Sequence, residues 1–295
     1  AACRLAPRVR RSVAEHRPHG AVPTVWGGAV CFPILAAVVP AVPAWVAWSL
    51  AGALVLLLGM MCDSRLFAPQ IAAFSNGRTV LVPPLTGANT IAGMAHSVLK
   101  SAPLQFALAG LSMGGIVAME IMRHAPERVT HLALMATNPK AEDPAVSANR
   151  EHQKAQVRQG HLRAVLRDEM KPNYLTDSAH KDDILDLCMT MAMDLGPEAF
   201  LNQSEALATR PDQQDNLKLV NVPSLILCGK EDRLCPLDRH VLLAQLIPGA
   251  QLEVIDGAGH LPTLEQPEAT TTALRIWLDG ATNAPPLPPK EIEHV

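Results

Sequence analysis

Aromatic residues make up only 3% of this 295-residue chain, and Tyr174 is its single tyrosine. Its apolar surfaces must therefore be aliphatic and pliable, with eleven methionines among them. Paired cysteine motifs are also missing. Cys3, Cys31, Cys62, Cys188, Cys228 and Cys235 are scattered without any C-x-x-C spacing, which excludes a zinc framework or a disulfide scaffold and leaves mostly buried, reduced thiols. No metal and no cofactor is expected. Nor is there an excess of basic charge. A net charge of −3 gives no global attraction to phosphate, so nucleic acid is excluded as a partner and a small neutral molecule fits better.

With 48% apolar residues, the chain can bury one sizeable α/β domain carrying an insertion. Residues 1–50 read as an Arg-, Ala-, Pro- and Val-rich extension, in which a charge-free run begins at Ala21 and reaches Cys62. Such a run after a basic flank suits a membrane span. Pro33, Pro40 and Pro43 interrupt it, each removing a helical hydrogen bond, so membrane association through residues 21–50 is the alternative and a cytoplasmic protein the expectation. No methionine precedes Met60, so an upstream-frame extension is a further reading of this segment. At the other end, residues 281–295 hold Pro285, Pro286, Pro288 and Pro289 and read as an extended tail.

From Ala53 onward, short apolar runs alternate with amphipathic helical patterns, which predicts an α/β fold with a mostly parallel sheet flanked by helices. Strands are expected at 53–58, 79–82, 105–109, 129–134, 224–228 and 251–255, and helices near 67–74, 90–100, 115–124, 238–246 and 267–278. The alternation stops between residues 138 and 221, where only helical stretches occur, at 145–170, 181–195 and 197–208. This predicts a helical cap at 138–221 set into a core of residues 51–137 and 222–280. Met170, Met189 and Met193, together with Met61, are candidates for an apolar substrate pocket.

One string carries the chemistry: Phe106-Ala-Leu-Ala-Gly110-Leu-Ser112-Met113-Gly114-Gly115, a strand running straight into a helix around G-x-S-x-G. A serine on that turn must adopt a strained backbone, and Gly110 and Gly114 leave room where side chains would collide. The turn lifts the Ser112 hydroxyl to the carboxyl end of the sheet and aims the Met113 backbone N–H at the place where an oxyanion would form. Serine needs a base. Of eleven histidines, His260 lies on a glycine-rich turn after the last strand, in Asp256-Gly-Ala-Gly-His260. The base needs an orienting carboxylate, and Asp232 in Gly229-Lys-Glu-Asp232 directly follows a strand. Glu231 is expected to face solvent beside Lys230, and Asp256 to be a turn residue. The loop after the first core strand, Leu58-Gly59-Met60-Met61-Cys62-Asp63, offers the Met60 backbone N–H as second oxyanion donor, with Met61 as the alternative. Asp63 is expected to cap a helix.

These residues, Gly59 to Asp63, Gly110 to Gly115, Gly229 to Asp232 and Gly259-His260, resemble the α/β-hydrolase superfamily over about residues 54–278. Within it the chain is similar to lidded carboxylesterases, enol-lactonases and the pimeloyl-ester hydrolases of biotin synthesis. The resemblance implies a helical cap inserted between strands 6 and 7 of that fold and an acyl-enzyme mechanism without cofactor. It departs from the usual pattern in carrying Leu58-Gly59 where His-Gly is common, and in the poor match of residues 1–50 to the fold's two opening strands. The expected activity is serine-dependent hydrolysis of a small carboxylic ester. Opening of a lactone or cleavage of a carbon–carbon bond by the same triad is the alternative, and a non-catalytic ligand-binding protein is the rival from another class.

Overall fold

A computed structural model describes residues 52–280. The extension at 1–50, with its membrane reading, and the tail at 281–295 lie outside the described residues. Six strands form one sheet: β1 (Ala53–Leu57), β2 (Val80–Leu81), β3 (Phe106–Leu111), β4 (Val129–Met135), β5 (Ser224–Gly229) and β6 (Gln251–Ile255). Their order is β2-β1-β3-β4-β5-β6, and every neighbouring pair is parallel. The expected strands are all present; β3 runs two residues further than the sequence predicts, and β2 shrinks to an edge pair alongside β1.

Alternation along the strands explains the layered core. In β1, Ala53, Val55 and Leu57 belong to one apolar cluster, while Leu54 and Leu56 belong to another on the opposite face. Strand β3 repeats this, with Phe106 and Leu108 on the first face and Ala107, Ala109 and Leu111 on the second. A strand buried on both faces needs covering on both. The first face is covered by α2 (Ile91–Ser101), α3 (Met113–His124) and α6 (Leu237–Leu246), and the second by α1 (Ala68–Phe74) and α7 (Pro267–Leu278). Helix starts follow local capping: the Thr90 hydroxyl accepts the Gly93 N–H at 3.0 Å, and Asp63 accepts the Arg65 N–H at 2.9 Å ahead of the short 3-10 turn Ser64–Phe67.

Between β4 and β5 no strand occurs among the described residues. That insertion follows the fourth of the six described strands; numbering it between strands 6 and 7 counts two opening strands that would lie outside the described residues. The continuous helix expected at 145–170 is broken. Helix α4 (Pro144–Arg158) stops before Gly160, whose φ of +92° leaves the helical region, and a π-helical turn (Val165–Met170) and a 3-10 turn (Lys171–Asn173) follow. Helix α5 (Lys181–Ala208) bends at Gly196, with φ 79° and Pro197 next, so its two arms match the separate stretches expected there. Among the described residues no helix is long and apolar enough to cross a membrane.

Candidate active site

The chain passes from β1 out to the edge at β2 and returns past β1 to β3, so strand order reverses between β1 and β3. A crevice opens at the carboxyl ends of strands at such a reversal. Two of the four loops predicted to bear the chemistry, those after β1 and β3, lie there. A Cβ placed on Gly59, after β1, would stand 3.7 Å from the Ser112 Cβ, after β3.

Ser112 has φ 56° and ψ −115°, a left-handed conformation that side chains rarely adopt. The surroundings hold it there. Its N–H donates to the Met135 carbonyl at 2.8 Å, and its own carbonyl accepts the Thr137 hydroxyl at 2.8 Å. Glycine is compulsory on both sides. A Cβ at Gly110 would overlap the Gly114 carbonyl, and one at Gly114 would overlap the Leu57 carbonyl, so strand and helix touch backbone to backbone. Ser112 remains half-buried, while His260 and Asp232 are each 5% exposed.

His260 Nε2 lies 2.9 Å from Ser112 Oγ, and His260 Nδ1 lies 2.9 Å from Asp232 Oδ2. A carboxylate only accepts, so the Nδ1 proton faces Asp232 and Nε2 is left to accept from the serine hydroxyl. Asp232 Oδ1 accepts the N–H groups of Leu234 and Cys235, both at 2.9 Å. Burial pushes this carboxyl up, but His260 and the Cys235 N–H outweigh it, and its pKa lies below the usual carboxylate value. Glu231 is exposed, and exposed Asp256 pairs with Lys230 at 2.8 Å. The β5 and His260 loops meet closely, since a Cβ at Gly229 would overlap the carbonyls of Ala258 and Gly259.

Neither the Met60 nor the Met113 amide has an acceptor among the described residues, whereas the Met61 N–H donates to Gln203 Oε1 at 2.8 Å. Met61, with φ 56°, is thereby removed as an alternative donor, and its side chain is buried in the core at 2% exposure. Met170 and Met189 are half-buried against the core. Met193 does not join them: at 37% exposure it faces solvent, because the inward stripe of α5 is carried by Ile184, Cys188, Met191 and Ala192 at helical spacing.

Several residues at the site belong to no local sequence motif. Gln203, on α5, accepts from Met61 and donates to the Leu85 carbonyl at 3.0 Å. Glu265 accepts the N–H groups on both sides of the histidine, Gly259 at 2.9 Å and Leu261 at 3.0 Å, and that of Thr176 at 2.8 Å. The His260 N–H donates to the Tyr174 carbonyl at 2.7 Å. His240 accepts the Thr137 N–H through Nε2 at 3.1 Å, and burial pushes its pKa down to about 4, so it is neutral. The one available signal was polarity within an apolar helical stripe, as at Gln203 beside Phe200 and Leu207. Among the described residues no cluster of three or more His, Cys, Asp or Glu could hold a metal ion.

A sequence model described as the alpha/beta hydrolase family matches residues 83–273, and the chain belongs to that family. It is 29% identical over 250 residues to a pimeloyl-[acyl-carrier protein] methyl ester esterase of Edwardsiella ictaluri, covering 79% of this chain and 97% of that one. The like-named protein of Yersinia enterocolitica is 31% identical over 191 residues, covering 62% of this chain and 73% of that one. Among solved structures, a thermophilic esterase from Thermogutta terrifontis superposes with a TM-score of 0.73 at 29% identity, over 77% of this chain and 89% of that one. An enol-lactonase from Burkholderia xenovorans shares the fold, with a TM-score of 0.70 at 23% identity, over 78% of this chain and 92% of that one.

Proposed function

We propose that the protein hydrolyses a small carboxylic ester through an acyl-enzyme on Ser112. The observation that carries this reading is the unbroken chain Asp232–His260–Ser112, with both of its contacts at 2.9 Å. Relatives named as methyl ester esterases support it.

In this mechanism His260 Nε2 takes the hydroxyl proton as Ser112 Oγ attacks the ester carbonyl, and Asp232 stabilises the imidazolium across Nδ1. The carbonyl oxygen becomes an oxyanion bound by the N–H groups of Met60 and Met113, both of which await an acceptor. The carbon–oxygen bond to the alcohol then breaks, and His260 returns its proton to the leaving alkoxide. Water, losing a proton to the same nitrogen, attacks the acyl carbon and releases the acid from Ser112. Residues 138–221 act as a cap over residues 51–137 and 222–280, and Gln203 of that cap reserves the Met61 amide so that Met60 supplies the donor.

Turnover of a p-nitrophenyl ester tests the assignment. Ser112→Ala should lose about a millionfold in kcat. A variant that retained near wild-type turnover would refute it.

A further inference from the structure

Three consecutive amides at the proposed base are engaged, and the groups that engage them come from two directions. The N–H groups of Gly259 and Leu261 both donate to one carboxylate oxygen, Glu265 Oε2, at 2.9 and 3.0 Å. Between them, the His260 N–H donates at 2.7 Å to the Tyr174 carbonyl, on the insertion. The other carboxylate oxygen, Glu265 Oε1, accepts the Thr176 N–H at 2.8 Å, so it too faces the insertion. There the main chain sits directly on the histidine loop: a Cβ on Gly259 would stand 2.8 Å from the Tyr174 carbonyl oxygen and 3.1 Å from the Thr176 nitrogen. One side chain closes the seam between the two.

A simpler role for Glu265 is that of a helix cap. It ends the one-turn helix Pro262–Glu265, and a side chain reaching back to the Leu261 N–H alone would satisfy that helix start. Two of its three bonds lie outside that role. Gly259 precedes the histidine, and Thr176 is 89 residues away in sequence. Holding the anion there is also costly, since burial pushes this carboxyl up although three N–H donors and the imidazole of His260, within electrostatic reach, pull it down. A neutral side chain would avoid that cost. It could not accept from both sides at once, because a glutamine has a single acceptor atom.

The position of the loop matters to the chemistry. The imidazole must hold Nδ1 on Asp232 and Nε2 on Ser112 together, both at 2.9 Å, and a main-chain displacement of about an ångström would break one of these contacts.

We propose that Glu265 is a positioning residue of the hydrolase: one carboxylate oxygen fixes the main chain on both sides of His260, and the other ties that loop to residues 174–176, so that the reach of the base to Ser112 depends on the insertion being seated. This rests on the serine-esterase reading and adds a residue to that same site. Glu265 exchanges no proton and forms no bond with substrate; it acts through where it holds the imidazole.

The test uses Glu265→Gln and Glu265→Ala in the full chain, with p-nitrophenyl acetate as substrate and active sites counted by fluorophosphonate titration. In Glu265→Gln the amide oxygen is expected on the two loop N–H groups, since the reverse orientation would set its NH2 against two donors instead of one. That variant keeps the loop clamp and loses the tie to Thr176. Its kcat should fall about tenfold, and that of Glu265→Ala, which loses all three bonds, about a hundredfold, with KM within about threefold of wild type in both, because a displaced base is felt in the transition state. A purely structural glutamate gives the opposite pattern, a lower thermal midpoint with wild-type kcat per titrated site. Peptide-resolved hydrogen exchange reads the contacts themselves: the segment carrying Thr176 should lose protection in Glu265→Gln while that carrying Gly259 and Leu261 keeps it, and both should lose it in Glu265→Ala. Wild-type kcat per titrated site in Glu265→Gln, a loss that falls on KM instead, or unchanged protection at Thr176 overturns the proposal. Should Glu265→Ala fail to fold, the near-isosteric Glu265→Gln decides alone. Ser112→Ala, run alongside, separates the two readings. If hydrolysis depends on Ser112 and Glu265→Gln keeps wild-type kcat, only the positioning role fails; if hydrolysis does not depend on Ser112, the esterase reading fails and the positioning role with it.

Discussion

The sheet edge and the helical insertion build one site by different physical means. At the edge, position is set by backbone. Ser112 is fixed by its positive φ, and Gly110 and Gly114 by overlaps that no side chain could relieve. Even the histidine loop seats its backbone against Gly229. The insertion works through single groups reaching down: the Gln203 amide onto the Met61 N–H and the Tyr174 carbonyl onto the His260 N–H. A backbone-built element admits few substitutions and fails completely, whereas contacts made by one side chain at a time can be altered in degrees. On the proposed mechanism, the chemistry falls to the part that cannot drift.

Three experiments would break or sharpen this contrast. The largest effect belongs to the edge: the millionfold loss expected for Ser112→Ala should come with stability within about 1 kcal/mol of wild type, because the hydroxyl is half-buried and its removal opens little space. Next comes Gln203→Ala, which leaves the Met61 N–H and the Leu85 carbonyl without partners and frees the Met60 amide to wander. A fall in kcat of about ten- to a hundredfold is expected, with a smaller change in KM, since an oxyanion donor acts chiefly in the transition state. Gln203→Glu, which keeps the acceptor for Met61, should recover part of that loss. Unchanged kcat in Gln203→Ala would show that the insertion does not set the loop.

The smallest effect concerns His240, which props Thr137 and through it the Ser112 carbonyl. Its pKa is held at about 4 against an ordinary 6.5, mainly by burial. A depressed histidine binds its proton more readily unfolded than folded, so stability falls as pH drops from 6.5 to 4 and is fully present above that window. Urea denaturation should show about 2–3 kcal/mol lost across it, and His240→Gln should flatten that dependence. An equal slope in both proteins would place the acid sensitivity elsewhere.

Legibility in the sequence follows the same division. The strands announce themselves as short apolar runs buried on both faces, and the turn after β3 through glycines whose neighbours leave no room, so Ser112, Asp232 and His260 can be nominated from local pattern and are found linked by hydrogen bonds through His260. The insertion is less readable. Gly196-Pro197 marks its bend, yet the break at Gly160 is missed, because a single glycine does not by itself end a helical pattern. Composition suggested methionines as pocket residues, and Met193 turned outward once the register of α5 was fixed by Cys188 and Met191. Gln203 and Met61 are 142 residues apart, and no period or motif joins them. Only packing brings together groups so distant in the chain.

The central claim is that Ser112 is the nucleophile, activated by His260. Reaction of the folded protein with a fluorophosphonate, followed by intact mass and peptide mapping, tests it directly. One adduct on Ser112, absent from His260→Ala under the same exposure, is the predicted result; an unlabelled folded protein, or an adduct on a different residue, would contradict it.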